Sequence, residues 1–252
     1  MSRTISIISV KGGVGKTTLV ANLAYILAND FNKKVLVVDT NINAPNLGLH
    51  LGIVNPEHTL QNILKDQIMA KDAIYEHKWG FSFLAASTQK EKKINMSKLK
   101  LKLQGLKNTY DAIILDTTPT IEPELHAALE ASDEALIVAS PDYFTLSSTL
   151  KTIKLAKEKN TLIRGMVLNK VRNKHFEVRS REIEKLAKIP ALAQIPYNKN
   201  FQKALSEILP YTAMYPNSLA SLNLKKLAAS LVDEKYKEPN IFKRLTARIK
   251  ND

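Results

Sequence analysis

Short apolar runs alternate along this chain with stretches in which apolar residues recur every three or four positions. The runs are typical of buried strands and the longer spacing of amphipathic helices. Strand patterns occur at residues 4–10, 34–39, 81–85, 112–115, 135–139, 163–168 and 192–195. Helical patterns occur at residues 17–28, 60–64, 147–159, 177–188, 200–208 and 218–231. This alternation predicts a parallel sheet covered by helices on both faces.

The chain has 252 residues, 44% of them hydrophobic, which is enough for a substantial buried core. Because no internal repeat or low-complexity linker interrupts the alternation, we predict one α/β domain over residues 1–232 and a tail over residues 233–252. The stretch at residues 97–106 is ambiguous. Its alternation of lysine and leucine is typical of a strand, whereas Leu99 and Leu103 have helical spacing.

The segment between the first strand and the first helix, Val10–Thr18, has the composition of a phosphate-binding loop. Its glycines allow a tight turn that directs several backbone N–H groups at one anion, and the helix that follows adds the positive end of its dipole. Lys16 is placed to reach the outer phosphates of a nucleotide, and the Thr17 hydroxyl is placed to bind magnesium. A glycine-rich turn with chance lysines is the alternative, but the flanking strand and helix argue against it. The predicted nucleotide-binding residues are Lys11, Gly12, Gly13, Val14, Gly15, Lys16, Thr17 and Thr18.

Two of the predicted strands end in an aspartate, Asp39 in one case and Asp116 in the other. Because the carboxyl ends of parallel strands meet at one edge of the sheet, both carboxylates are expected beside the phosphate loop, where phosphoryl chemistry needs them. An aspartate that only ends a strand is common, so this prediction depends on the loop. With the loop, Thr17, Asp39 and Asp116 form a predicted magnesium site.

The loop departs from the usual phosphate-loop spacing, because Val10 stands where a glycine is expected and an extra lysine, Lys11, follows it. This pattern resembles the deviant Walker A motif of the MinD/ParA family of P-loop ATPases. The resemblance covers nearly the whole chain and is most specific at residues 10–18, 39–49, 111–122 and 240–250.

The resemblance implies a single-domain P-loop NTPase whose mostly parallel, twisted sheet has helices on both faces. It implies ATP and Mg²⁺ as cofactors, a homodimer in the ATP-bound state, and catalytic roles for Lys11 and Lys16. In the family, the early lysine reaches the nucleotide of the partner subunit. Asp116 resembles the Walker B aspartate that holds the metal through water, and Thr117–Glu122 resembles the second switch loop. The resemblance also favours a helix over residues 97–106.

The nucleotide base is predicted to contact the segment Asn169–Arg172. In related GTPases, an Asn-Lys-x-Asp motif follows the equivalent strand, and its aspartate accepts hydrogen bonds from guanine. Arg172 occupies that place here, so adenine is favoured, and we predict that Asn169 pairs with the base. The later segment Ile195–Asn198, with Pro196 as the predicted contact, resembles the loop that closes over adenine in the family. In the alternative interpretation, Asn169 only ends a strand and starts a turn.

The first switch segment departs from the family pattern, in which a second carboxylate lies two residues after Asp39. Asn41 stands at that position and is predicted to be a catalytic residue. An amide can orient water but cannot accept its proton, and the loss of a catalytic carboxylate commonly costs about a hundredfold in rate. Three explanations are open: a naturally slow ATPase, an engineered substitution that traps the ATP-bound state, or a shifted alignment of the motif. The match of Pro45–Leu49 to the family's continuation argues against the third.

The charge balance, 37 basic against 24 acidic residues, gives a net charge of +13 and indicates an anionic partner such as a lipid surface or nucleic acid. There is no cysteine, which excludes disulfides and thiolate-bound metals, including an iron–sulfur carrier role. No run of 18 apolar residues is present, and the chain begins almost directly in a strand. We therefore expect a cytoplasmic protein without a secretory signal or a spanning helix.

The tail contains a basic amphipathic segment, residues 240–250, that resembles the membrane-targeting helix of the MinD proteins in this family. As a helix, its apolar residues fall along one side and its basic residues flank them, the composition of an interfacial helix. A helix packed on the domain, or a frayed end, is the alternative. The predicted membrane contacts are Ile241, Phe242, Lys243, Arg244, Leu245, Arg248 and Ile249.

Two functions are compatible with these features. The first is that of a MinD-like ATPase that dimerises with ATP, attaches peripherally to the inner face of the cell membrane and positions other proteins, for example at the division site. Its regulatory or cargo partner is not identifiable from the sequence. The second is that of a ParA-like partitioning ATPase that binds DNA without sequence preference. Lysine-rich stretches at residues 90–107 and 170–188 suit DNA, although such helices are more often solvated faces.

Overall fold

A computed structural model describes residues 2–89 and 94–237. Its centre is an eight-stranded sheet in the order β3-β4-β2-β5-β1-β6-β7-β8, parallel throughout except for the β3–β4 pair. The family's expected fold class is therefore confirmed. The strands are β1 (Arg3–Ile8), β2 (Val35–Asp39), β3 (Ile74–Glu76), β4 (Ser82–Leu84), β5 (Ala112–Asp116), β6 (Glu134–Ala139), β7 (Leu162–Val171) and β8 (Ala191–Pro196).

Helices cover both faces of the sheet, as the near-continuous apolar strands require. Alternate residues of each central strand point to opposite faces, so Ile5 and Ile7 pack against α1 and α10, whereas Ile8 faces α5 and α6. The helices are α1 (Lys16–Asn29), α2 (Leu47–His50), α3 (Leu60–Leu64), α4 (Leu99–Gln104), α5 (Pro123–Ala131), α6 (Tyr143–Glu158), α7 (Ser180–Ala187), α8 (Asn200–Ser206), α9 (Tyr211–Met214) and α10 (Leu219–Leu231). In the described parts of the chain, no helix combines the length and apolar character needed to cross a bilayer.

The ambiguous stretch at residues 97–106 contains the helix α4, as predicted. Leu99 and Leu103 are buried on the core side, while Leu101 is 70% exposed. This spacing matches one face of a helix and excludes strand alternation, in which all three leucines would point to the same side.

Several predicted boundaries differ from the structure. The first strand ends at Ile8 instead of residue 10, because the chain already turns into the phosphate loop. Helix α6 begins at Tyr143, since the Asp142 carboxylate accepts the Thr145 N–H at 2.8 Å and caps it. Strand β7 continues to Val171, so Asn169 lies within a strand and does not end one.

An isoleucine with a left-handed backbone follows α8. Ile208 has φ 53°, a conformation that costs a β-branched residue about 1–2 kcal/mol, and its side chain packs against Gly52, which follows α2 and has φ 75°. A Cβ at Gly52 would lie 3.0 Å from the Ile208 Cγ2 atom. This contact joins the α8–α9 segment to the segment that follows the first switch.

The last described residues are tied to the domain by ion pairs. The Asp233 carboxylate pairs with Arg164 at 2.7 Å and also with Arg3, and Glu234 pairs with Lys33 at 2.8 Å. The residues just after α10 are therefore held beside the first residues of β1 and β7. The predicted membrane segment at residues 240–250 lies outside the described residues.

Candidate nucleotide-binding site

The phosphate loop connects β1 to α1 and has the backbone that anion binding requires. Gly13 and Gly15 have φ of 73° and 95°, and Gly15 precedes the first residue of α1, so no side chain caps the first N–H groups of that helix. A Cβ at Gly15 would lie 2.4 Å from the Asn169 Nδ2 atom. Glycine is therefore required at this position both by its conformation and by its neighbour.

A cavity of about 390 Å³ opens above this loop. Its lining includes most of the predicted phosphate-loop residues, the first-switch residue Asn41, Asn169 beside the loop, and Pro196. Lys11 and Val14 are not part of its lining. Pro119 of the expected second switch loop and Ile195, Tyr197 and Asn198 of the expected adenine loop also line the cavity. Sequence reasoning missed His50, Phe201 and Leu205, which no local motif marks.

Lys16 is the cation at the base of the cavity. Its side chain is buried, and its ammonium donates to the Ser9 carbonyl oxygen at 3.3 Å. Burial lowers the pKa of Lys16, and the charge of Asp116 acts in the opposite direction. A lysine with one carbonyl partner has donor capacity left for phosphate oxygens.

Asp39 and Asp116 lie opposite each other on neighbouring strands, as the sequence predicts. The Asp39 carboxylate accepts the N–H groups of Asn41 and Leu47, each at 3.1 Å, yet burial and the charge of Asp116 hold its pKa well above the usual range. Burial also raises the pKa of Asp116 to about 6, against the opposing effects of a hydrogen bond from Thr17 and the charge of Lys16.

These residues suit a hard divalent cation. The Asp116 Oδ1 atom is buried and has no hydrogen-bond partner, an arrangement that is costly without a ligand. In the described residues, no group of three or more His, Cys, Asp or Glu side chains could hold a metal alone. Mg²⁺ commonly keeps several waters and takes phosphate oxygens alongside one or two protein carboxylates. Thr17, Asp39 and Asp116 therefore fit the predicted metal site.

Asn41 lines the cavity together with Lys16 and Thr117, where the switch residue of the resemblance is expected. Its side chain is 9% exposed, and its Nδ2 atom donates to the Ala44 carbonyl at 2.6 Å. Asn41 thus stabilises the turn of its own segment.

Lys11 is held on the outer side of the loop. Its ammonium donates to the Asp142 carboxylate at 3.2 Å and to the Thr145 hydroxyl at 2.5 Å, both in the first turn of α6 or just before it. Burial raises the pKa of Asp142, but hydrogen bonds from Thr145, Ser140 and Lys11 outweigh it and bring the pKa to about 2. The two lysines of the loop therefore have separate surroundings.

Asn169 and Lys170 donate side-chain hydrogen bonds to backbone carbonyls of the phosphate loop. The Asn169 Nδ2 atom donates to the Val14 carbonyl at 2.7 Å, and the Lys170 ammonium donates to the Gly13 carbonyl at 2.6 Å. The sequence predicted that Asn169 contacts the base; the structure adds this contact with the loop.

The similarity to known proteins agrees with the geometry. A family profile described as an AAA domain matches residues 2–165. An ATP-binding protein of Methanocaldococcus jannaschii is 34% identical over 238 residues, which cover 94% of this chain and 90% of that protein. The chain belongs to the MinD/ParA family of P-loop ATPases.

Solved structures of the MinD/ParA family superpose over almost the whole chain. The cell division ATPase MinD of Pyrococcus furiosus has a TM-score of 0.87 and 31% identity, with 92% of this chain and 99% of that chain covered. MinD of Pyrococcus horikoshii, solved in complex with Mg-ADP, has a TM-score of 0.86 and 30% identity, with 92% of this chain and 96% of that chain covered. The family assignment supports ATP binding and ATPase activity by this chain.

Replacement of Asp116 by Asn should have opposite effects on the stability of the nucleotide-free protein and on its stabilisation by Mg²⁺. We expect Asp116→Asn to raise the melting temperature of the nucleotide-free protein by about 2–4 °C, because it removes a buried charge with an unpartnered oxygen. The same variant should lose the further stabilisation that Mg²⁺ adds to ATP. Thermal unfolding at pH 7.5, with EDTA, with ATP and with ATP plus Mg²⁺, measures both effects.

The matched control is Asp39→Asn, which keeps one carboxylate of the pair but weakens an acceptor of two backbone N–H groups. Because it also removes a buried charge, it should raise the melting temperature without nucleotide by less than Asp116→Asn does. A full Mg²⁺-dependent shift in Asp116→Asn would mean that this carboxylate does not act on the metal.

Proposed function

We propose that this chain is an ATP-dependent, MinD-like switch that binds Mg-ATP, forms a homodimer in that state, hydrolyses ATP slowly and attaches to anionic membranes through its tail to position other proteins. The observation that carries the proposal is the location of Lys11 outside the cavity of its own subunit. Lys11 pairs with Asp142 instead of lining its own nucleotide cavity, so it could exchange that partner for the phosphates of a second subunit that approaches the carboxyl ends of β1 and β6.

Dimer formation should depend on Lys11. We expect Lys11→Ala to bind ATP as a monomer but to lose the ATP-dependent dimer, because Lys16 and the loop backbone remain while the charge offered to the partner is gone. Analytical ultracentrifugation with Mg-ATP, combined with a nucleotide titration, measures both properties.

Lys16→Ala is the control and should lose nucleotide binding itself, because Lys16 lies in the cavity. If Lys11→Ala dimerises like the parent protein, the proposed role of this lysine is wrong.

Slow turnover is proposed because Asn41 provides no base for the attacking water. Introduction of Asp at this position should raise the rate of ATP hydrolysis by about tenfold or more. Single-turnover hydrolysis at protein concentrations that favour the dimer is the measurement.

Asn46→Asp serves as the matched control, because the Asn46 side chain donates to the same Ala44 carbonyl as Asn41, at 2.9 Å, and also lines the cavity. It should leave the rate within about twofold. Equal rates for Asn41→Asp and the parent protein would show that position 41 does not face the attacking water.

Membrane attachment is proposed from the composition of residues 240–250. Each basic residue near an anionic leaflet contributes roughly 1 kcal/mol, and a helix this short carries a nucleation cost, so one tail should bind weakly. Two tails on one dimer raise the effective concentration of the second contact. Attachment therefore follows ATP-driven dimerisation.

The double variant Phe242→Glu with Leu245→Glu should remove membrane binding while nucleotide binding stays intact. Co-sedimentation with vesicles that contain anionic lipid, with and without Mg-ATP, is the measurement, and binding of the parent protein should weaken with salt. The control places the same charges on the domain surface, as Leu101→Glu with Leu186→Glu, two leucines that are 70% and 55% exposed. Equal sedimentation of the tail variant and the parent would exclude this segment as the anchor.

A ParA-like partitioning ATPase is the second candidate. Part of the lysine-rich α4 region is neutralised, since Lys98 and Lys102 both pair with Asp66. The loop before α7 keeps exposed basic residues, among them Lys174 and Arg179, that could contact phosphates. Retained binding of non-specific DNA by the tail variant, with no membrane binding by the parent, would favour this candidate.

A further inference from the structure

Asn43 joins the first switch, at residues 40–46, to the start of α5. Its Nδ2 atom donates to the Glu124 Oε1 atom at 2.6 Å and to the Glu122 Oε2 atom at 3.2 Å. An amide nitrogen carries two hydrogens, so it can serve two acceptors at once. One side chain of the first switch therefore bridges two carboxylates at the end of the second switch loop.

Glu124 is the buried partner in this bridge. The residue is 7% exposed, and its Oε2 atom is buried and has no hydrogen-bond partner. It lies in the first turn of α5, where the positive end of the helix dipole favours a carboxylate. Removal of the Asn43 amide would take a donor away from a buried carboxylate, which is costly. The bridge is therefore a favourable contact and not a chance encounter of two surface side chains.

The turn of the first switch has hydrogen bonds of its own, and these fix its shape. The Asn41 and Asn46 side chains both donate to the Ala44 carbonyl, at 2.6 and 2.9 Å. These bonds stay within the turn. Among the described residues, the hydrogen bonds that lead from positions 41–46 to a segment far along the chain are those of Asn43. The bridge thus fixes where the turn lies relative to α5.

The two segments that Asn43 joins also contribute to the nucleotide cavity. Asn41 lines the cavity two residues before Asn43, and Thr117 lines it from the loop that leads to α5. Asp39 and Asp116 precede these segments on neighbouring strands. The position of Asn41 relative to the phosphates and metal of a bound nucleotide therefore depends on how the first switch is held against α5.

We propose that Asn43 is a positioning residue for ATP hydrolysis, because its bridge to Glu122 and Glu124 holds Asn41 in place. The proposal rests on the proposed ATPase function and adds a residue that does not line the cavity. Asn43 acts through Asn41 and not on the nucleotide. Since the phosphate loop holds the phosphates, loss of the bridge should slow hydrolysis without weakening ATP binding.

The first test is Asn43→Ala. The rate of single-turnover hydrolysis at saturating Mg-ATP should fall by about tenfold, because small displacements of groups around a reacting centre are expensive in rate. The Kd for ATP, measured by titration calorimetry, should stay within about twofold of the parent value. Analytical ultracentrifugation with Mg-ATP should show the same dimer as the parent protein, so that a lost subunit contact does not explain the slower rate.

A reversed bridge gives a sharper test. Asn43→Asp places a third carboxylate beside Glu122 and Glu124 and should slow hydrolysis at least as much as Asn43→Ala. The double variant Asn43→Asp with Glu124→Gln puts the carboxylate on the switch and the amide on α5, so the hydrogen bond can form in the opposite direction. The double variant should recover the rate to within about threefold of the parent value, because the two positions are coupled.

Asn62→Ala is the matched control. The Asn62 side chain also stabilises a turn, since it accepts the Thr59 N–H at 2.9 Å and donates to Gln67 at 2.8 Å. Asn62 neither lines the cavity nor contacts the switch segments. Its replacement should lower the melting temperature without a change in the rate of hydrolysis, which separates a loss of stability from a loss of positioning.

The positioning role is overturned if Asn43→Ala hydrolyses ATP at the parent rate, if it weakens ATP binding as much as it slows hydrolysis, or if it loses the dimer. Failure of the double variant to recover the rate overturns it as well. Absence of ATP binding or hydrolysis in the parent protein is a different result, because it contradicts the proposed function itself.

Discussion

The repulsion between two buried carboxyl groups is the constraint around which this site is organised. Asp39 and Asp116 face each other at the ends of β2 and β5, away from water. Folding places them there because both strands belong to the apolar centre of the sheet. Two backbone N–H groups stabilise Asp39, whereas Asp116 depends on Thr17 and Lys16, both from the start of α1. The phosphate loop and the two aspartates are thus electrostatically coupled. A bound cation would compensate the carboxylates, and a bound phosphate would compensate the charge of Lys16.

The two lysines of the phosphate loop face different parts of the subunit, the nucleotide cavity and the start of α6. Lys16 begins α1 and lies in the cavity, whereas Lys11 lies on the other side of the loop against the start of α6. Gly13 and Gly15, which lie between them, both have positive φ. A subunit built in this way can bind a nucleotide with one lysine and leave the other for contacts outside that cavity.

Much of the fold could be predicted from the sequence because the central strands are long apolar runs and the helices have one apolar face. The phosphate loop, Asp39 and Asp116 were equally accessible, since each is local and stands next to a strand. Strand β3, Ile74–Glu76, was missed because, unlike β4, it is not flanked by an apolar run. The contacts of Lys11 with Asp142 and of Asn169 with Val14 join residues more than 130 positions apart, and the bridge from Asn43 to Glu122 and Glu124 joins residues 79 and 81 positions apart. No local pattern encodes such contacts.

The contact between Gly52 and Ile208 makes two distant positions depend on each other in sequence variation. Both residues have a left-handed backbone. The Ile208 side chain occupies the space in which a side chain at position 52 would lie. A larger residue at position 52 requires a smaller one at position 208, and glycine at 208 would relieve the backbone strain but leave Gly52 uncovered. We therefore expect the side-chain sizes at these two positions to vary inversely among homologous chains. Their summed volume should stay nearly constant even where neither residue is conserved.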